Sequence, residues 1–282
     1  MKYVVAVSGG VDSVALLDMM VRQYAPENII VAHFDHGIRE VSGDDAMFVQ
    51  RLSESYGCKF KVAREELGAD ASEAAARERR YLFLNNVARE YGAVLAAAHH
   101  LDDLVETVVL NLQRGTEWRG LTPFGQDMMR PLLYMTKGEI IEYAKVNALE
   151  WREDETNTSM RYARNRVRPA VAAFSLEKKL QVAALYARQW EIRRAVESEV
   201  EECVGVTSQY SRYFFIMAPI RVRLELLRGI TQGRLTYPQL ARVARSVCTA
   251  RHGSVIEAGG GVEVHFTTRQ FTLKLLKLNK DT

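Results

Sequence analysis

AVSGGVDS, Ala6–Ser13, lies between a β-branched run, Val4–Val7, and a segment of helical spacing, Val14–Tyr24. A strand-to-helix turn needs at most one glycine, so the second glycine and the two serines need another reason. Gly9 and Gly10 remove two Cβ atoms at the strand tip and let the backbone wrap an anion. The helix N-terminus that follows offers unpaired N–H groups and the positive end of a dipole. Ser8 and Ser13 can add hydroxyl donors, and Asp12 suits an N-terminal cap. No lysine follows the glycines, so the Walker pattern and transfer of a terminal phosphate are not implied. A lone Ser-Gly-Gly would read as a capped turn, but the full SGGVDS between a strand and a helix favours the anion.

Working outward, strand-like and helix-like segments alternate: Asn28–Asp35, Asp44–Tyr56, Cys58–Arg64, Ser72–Tyr91 and Ala93–His99. Three β-to-α-to-β passages in a row predict parallel strands in a doubly wound α/β sheet. Their nearly continuous apolar character fits a sheet covered on both faces. A helix over Asp102–Gln113, a turn-rich loop from Arg114 to Asp127 and a helix from about Lys137 to Asn147 follow. The alternation stops at Ser175. Residues 176–203 and about 220–250 read as helical, and Val255–Leu278 as a hairpin or small sheet. The expected organisation is an α/β domain over 1–175 and a smaller, mostly helical domain with a short β element over 176–282.

The 282 residues are 48% hydrophobic, enough to bury a core. No apolar run reaches membrane-spanning length, so a soluble cytoplasmic protein without membrane contact is expected. Cys58, Cys203 and Cys248 form no CxxC pair, which disfavours a disulfide framework, a cysteine-based zinc site and sulfur relay. Residues 176–282 hold 17 Lys and Arg against 10 Asp and Glu, whereas residues 1–175 hold 21 against 25. A basic second half beside an acidic first half suits a polyanion-binding module on a nucleotide enzyme, though a solvated face would give the same count.

Other chemistry-bearing stretches also cluster at strand tips. His33, Asp35, His36 and Arg39 end the second strand, and Glu73, Arg77 and Arg80 share one face of the next helix. AHHLDDLVET, Ala98–Thr107, follows the fourth strand and puts Asp103 and Glu106 three apart on a helix. Near a triphosphate such carboxylates can hold Mg²⁺ or receive an ammonium; they also suit a helix N-terminus on dipole grounds. Arg161, Arg164, Arg166 and Arg168 follow with no acid between them and can grip a nucleic-acid backbone.

SGGVDS resembles the pyrophosphate loop of the PP-loop ATP pyrophosphatases, the adenine nucleotide alpha hydrolase-like fold. HFDHGIR, EAAARERRY, AHHLDDLVET, RGT and RGL, RPLL, and DETN followed by RYARNRVR together resemble the tRNA(Ile)-lysidine synthetase family, over about residues 3–170. Glu117 stands where that family commonly has glycine, and the shorter architecture of the family is the one expected. The resemblance implies a ligase that uses ATP and Mg²⁺ to join free L-lysine to C2 of the wobble cytidine of tRNA(Ile) with anticodon CAU. The base is first adenylated; the lysidine that results pairs with adenosine, changing codon reading from AUG to AUA.

On that reading Ser8, Gly9, Gly10, Val11, Asp12 and Ser13 hold ATP. Asp35, Asp103 and Glu106 serve catalysis, Asp103 and Glu106 also as metal ligands. His36, Arg39, Arg77, Arg80, Arg114, Arg164 and Arg166 contact the target nucleotide or its phosphates, and the basic half holds the tRNA body. A tRNA thiolase, an amide-forming relative and a non-catalytic nucleotide- or RNA-binding module are the rivals. The missing cysteine pair speaks against the first, the basic half against the second and the Asp103/Glu106 pair against the third. Oligomeric state stays open, a homodimer among the options.

Overall fold

The computed structural model describes residues 1–37, 42–66, 73–125, 127–152, 163–205 and 207–276. Two units form, Met1–Gln189 and Trp190–Thr282, and the division falls inside one long helix.

In the first unit, β1 (Lys2–Ala6), β2 (Ile29–Asp35), β3 (Lys59–Arg64) and β4 (Ala93–Ala96) make a parallel sheet in the order β3-β2-β1-β4. Val4 pairs with Ile30 on one side and with Leu95 on the other. The chain therefore walks outward from β1 to β3, then returns to the far side of β1. This reversal leaves a crevice beyond the carboxyl ends of β1 and β4, where ligands bind in open α/β sheets.

The helices of this unit are α1 (Val11–Gln23), α2 (Ser42–Ser55), α3 (Glu73–Tyr91), α4 (Leu101–Gln113), α5 (Lys137–Val146), α6 (Ala163–Ala172) and the start of α7 (Leu176–Val204). Strand side chains alternate between two buried layers. Val5, Ile29 and Val31 pack with Leu16, Val49 and Ile140, whereas Val4, Ile30 and Ala32 pack with Leu84 and Val87. Helices cover both faces, as the apolar strands require. Behind the loop, the buried Asp18 carboxylate accepts from Arg22 Nε (2.7 Å), Tyr56 OH (2.7 Å) and Tyr143 OH (2.6 Å). Burial alone would raise this carboxyl; the three donors bring it below the usual range. They also pin α5 against α1.

The second unit has β5 (Gln209–Ser211), α8 (Arg212–Met217), α9 (Ile220–Ile230), α10 (Tyr237–Thr249), β6 (Val255–Gly259), β7 (Val262–Phe266) and β8 (Gln270–Leu275). Its sheet is antiparallel in the order β5-β8-β7-β6, packed with Phe215, Leu227, Leu240 and Val243 from the helices. The helical stretch expected over about 220–250 is two helices. Gln232 and Gly233 take positive φ (54° and 70°) and end α9; Thr236 and Gln239 form a capping box that starts α10. Among the described residues no helix is long and apolar enough to cross a membrane.

Candidate active site

Ser8–Ser13 caps the carboxyl end of β1. Gly9 adopts φ +94°, a conformation that a side chain would strain. Gly10 is the N-cap of α1 and carries no side chain to satisfy the first N–H groups. The amides of Gly9, Val11 and Asp12 donate to no described group. The serines brace the loop: Ser8 N donates to Ser13 Oγ (3.1 Å), and Ser13 Oγ donates to Gly10 O (2.8 Å). A rigid ring of open amides results. Asp12 is not the cap that the sequence suggests, because α1 begins at Val11 and leaves Asp12 in the first turn, turned toward α5.

Two further helices start beside this loop. α4 begins after β4 with His100 as N-cap, and His100 N donates to Asp103 Oδ2 (3.1 Å). α5 begins at Lys137, whose Nζ donates to Asp12 Oδ1 (2.6 Å) and Oδ2 (2.7 Å). Asp102 links α5 to α4: its Oδ2 accepts from Lys137 N (2.8 Å) and its Oδ1 from Lys179 Nζ (2.5 Å). Burial would raise the Asp102 carboxyl, yet Lys179 and the Lys137 amide hold it below the usual range. His100 Nε2 lies 3.5 Å from Asp103 Oδ2 and 3.9 Å from Asp12 Oδ2. Three positive helix ends thus meet at the β1/β4 reversal, offset by Asp12, Asp102 and Asp103.

Glu106 is one turn along α4, buried, with Oε1 3.2 Å from Arg168 Nε. Asp35, at the tip of β2, is buried; its Oδ1 accepts from Gly37 N (2.9 Å), and Oδ2 is 3.7 Å from Arg64 Nε. His33 is a structural tie, its Nδ1 2.8 Å from Val7 O. Burial, reinforced by Arg80, holds His36 below the usual imidazole range. The guanidinium carbons of Arg77 and Arg80 lie 4.9 and 6.0 Å from the Tyr81 ring centre.

Arg114 is exposed at the other end of α4, roughly 16 Å along the axis from Asp103, and Arg166 is exposed on α6. Arg39, Arg161, Ser72 and the side chains of Glu73 and Arg164 lie outside the described residues. Glu117 has φ −67° and ψ −174°, open to any residue, while Gly115 takes the positive φ (67°).

Lys137 and Lys179 are the residues that sequence reasoning missed. Thr136 and Glu139 form a capping box around Lys137, and a cation in a helix's first turn opposes the dipole. That misfit is a signal in the sequence. Lys179 gives none, since its partner lies 77 positions away.

Among the described residues no three His, Cys, Asp or Glu side chains form a ready metal cage. A magnesium ion that shares a polyphosphate needs only one or two carboxylates, and Asp12 and Asp103, both beside His100 Nε2, fit that donor set. The arrangement can bind a polyanion on bare amides and hold a hard cation at its edge.

A PP-loop domain model matches residues 1–174. The tRNA(Ile)-lysidine synthase of Thermus thermophilus is 36% identical over 276 residues, covering 92% of this chain and 54% of that protein. That of Thermotoga maritima is 35% identical over 224 residues, covering 75% and 54%. The chain spans about half the length of these curated relatives. Among solved structures, the U34-tRNA thiolase NcsA from Methanococcus maripaludis superposes with a TM-score of 0.56 at 23% identity, over 68% of this chain and 73% of that one. This likeness bears on the fold alone.

Proposed function

The chain belongs to the PP-loop domain family, and from that footing we propose that it is the ATP-dependent ligase that makes lysidine on tRNA(Ile) with anticodon CAU. The reading rests on one observation: the open amides of the Ser8–Ser13 loop and three helix N-termini converge where β1 and β4 part, with carboxylates from α4 alongside. The names of its relatives support the same reading.

In the first half-reaction the C2 oxygen of the wobble cytidine attacks the α-phosphorus of ATP. A C2–O–P bond forms, the α–β bridge breaks and pyrophosphate leaves. The amides of Gly9, Val11 and Asp12 suit the polyphosphate, where they match charge that grows on the leaving group. Magnesium carried with the nucleotide, held by Asp12 and Asp103, would supply further charge compensation. In the second half-reaction the neutral ε-amine of free lysine attacks C2, and AMP departs.

A lysine ammonium cannot attack, so an acid must receive it and accept a proton. Asp103 and Glu106 are the acids we assign to lysine and metal together. Glu106, one turn further along α4, suits the ammonium; Asp103, nearer Asp12, suits the metal side. Asp35 orders the β2 tip, and His36, Arg77 and Arg80 suit the flipped base and its phosphates. We assign residues 176–282 to the tRNA body, and a cytoplasmic location follows from that substrate.

Incubation with ATP, labelled lysine and a CAU-anticodon transcript tests the proposal. Lysine-dependent AMP release with label on the RNA is expected, and Asp103→Asn should abolish both while the fold survives, since Asn keeps an acceptor for His100 N. Absence of label with wild-type protein, or full turnover by the variant, overturns the assignment.

A further inference from the structure

We propose that Lys137 is a stand-in for the metal, holding Asp12 until a divalent cation arrives with the nucleotide and then passing to the polyphosphate. The inference rests on the reading that ATP lies on the Ser8–Ser13 loop. Lys137 Nζ contacts both oxygens of Asp12, at 2.6 and 2.7 Å. A lysine with this grip competes with a divalent ion for both oxygens of the carboxylate and repels its charge.

The helix gives no reason for the cation. Thr136 and Glu139 already cap α5, and a positive side chain at its first residue faces the positive end of the dipole. Fold stability gives little reason either. The Lys137 and Asp12 side chains are 41% and 29% exposed, and ion pairs so open to water contribute little. The pair sits instead at the mouth of the open amides, where a cation bears on bound phosphate.

The anchoring also separates what stays from what moves. Lys137 N is tied to Asp102 Oδ2 at 2.8 Å, and Asp102 is tied to Lys179, so the start of α5 is fixed. Only the four-carbon stem of Lys137 needs to turn, and its ammonium has no directional fork to satisfy. Once a divalent ion takes Asp12, the released ammonium lies beside three outward amides and a bound polyphosphate. Its charge then adds to theirs. Metal and nucleotide bind as a unit, and the free protein has low affinity for the metal alone.

The test uses Mn²⁺ alone and α,β-methylene-ATP, each titrated calorimetrically into the full chain. Lys137→Met should bind Mn²⁺ about tenfold tighter than wild type, because it removes both the competitor for Asp12 and a positive charge within a few ångströms of the ion. It should bind the analogue, with Mg²⁺ present, about tenfold or more weakly. Lys137→Arg, which keeps the charge, should restore most of the analogue affinity. Adding Asp12→Asn to Lys137→Met should erase the Mn²⁺ gain, which locates the ion. Lys137→Gln repeats the measurement should the Met variant fold poorly. Equal Mn²⁺ affinity in wild type and the charge-removed variants overturns the proposal and leaves the nucleotide site standing. Failure of wild type to bind the analogue overturns the ATP reading, and this proposal with it.

Discussion

Replacing Lys179 by Met should destabilise the protein by about 3 kcal/mol at neutral pH, because it strands Asp102. The pair is short (2.5 Å), with side chains only 11% and 14% exposed. Removing one partner of a buried pair typically costs about 3–5 kcal/mol. Asp102 would keep the Lys137 amide and two helix N-termini, which places the cost at the low end. With a urea slope of about 3 kcal/mol/M, the midpoint falls by about 1 M.

The pH dependence fixes the sign. In wild type the Asp102 carboxyl is depressed, so its contribution is complete above the ordinary carboxylate value and fades only as pH drops below it. In the variant, burial without Lys179 raises the same carboxyl, and protonation relieves the penalty as pH falls. The difference between the two proteins is therefore largest at pH 7 and shrinks toward pH 5. Asp102→Asn combined with Lys179→Met should recover most of the loss, since the stranded charge is gone. A single-variant loss below about 1 kcal/mol, or one constant from pH 7 to 5, refutes the reasoning.

Three other outcomes follow from the same geometry. Gly9→Ala should cost about 1–2 kcal/mol from its positive φ, not from crowding, since a Cβ there would meet its nearest neighbours at an ordinary 3.6 Å; calorimetry should also show weaker binding of the ATP analogue. Burial pushes the Cys58 thiol up to about 11, whereas Cys203 and Cys248 are exposed, so a thiol reagent at pH 8 should titrate those two rapidly and Cys58 only after unfolding. Arg212→Met should lower stability by about 2–4 kcal/mol in urea unfolding, because Val247 O and Thr267 O lose a buried charged donor, while analogue binding to the first unit stays unchanged.

The sequence makes the sheet and the loop legible because both are local. A β-branched strand, two glycines and a helix start lie within a dozen residues, and the nearly continuous apolar runs of β1 and β2 report burial on both faces. The break between α9 and α10 is signalled by Gly233 and by Pro238 in the first turn of α10, which the helical periodicity on either side masks. β5 and α8 were missed for another reason: three and six residues are too few for a period to show. The basic half is the instructive case. Charge counting treats its arginines alike, yet Arg212 and Arg223 spend their guanidinium donors on carbonyls of their own unit. Arg221, Arg245, Arg251 and Arg269 are among those that remain exposed and that a polyanion can reach.

The acids of α4 show where local periodicity ends. At about 100° per residue, Asp103 and Glu106 fall within about 60° of each other, and that much is readable from spacing. Asp102, one residue earlier, points about 100° away, toward the start of α5, where Lys137 N and Lys179 Nζ hold it. Three carboxylates within five positions therefore do different things. One joins helix starts, one caps its helix beside the crevice, and one is buried against Arg168. Only Asp103 finds its partner within the ten-residue motif, at His100 N; those of Asp102 and Glu106 are drawn from α5, α7 and α6, and nothing in the motif announces them. The cations decide the roles of the acids, and the fold decides which cations arrive. An unpaired-looking lysine at the first position of a distant helix is then as informative about an acidic motif as the motif itself.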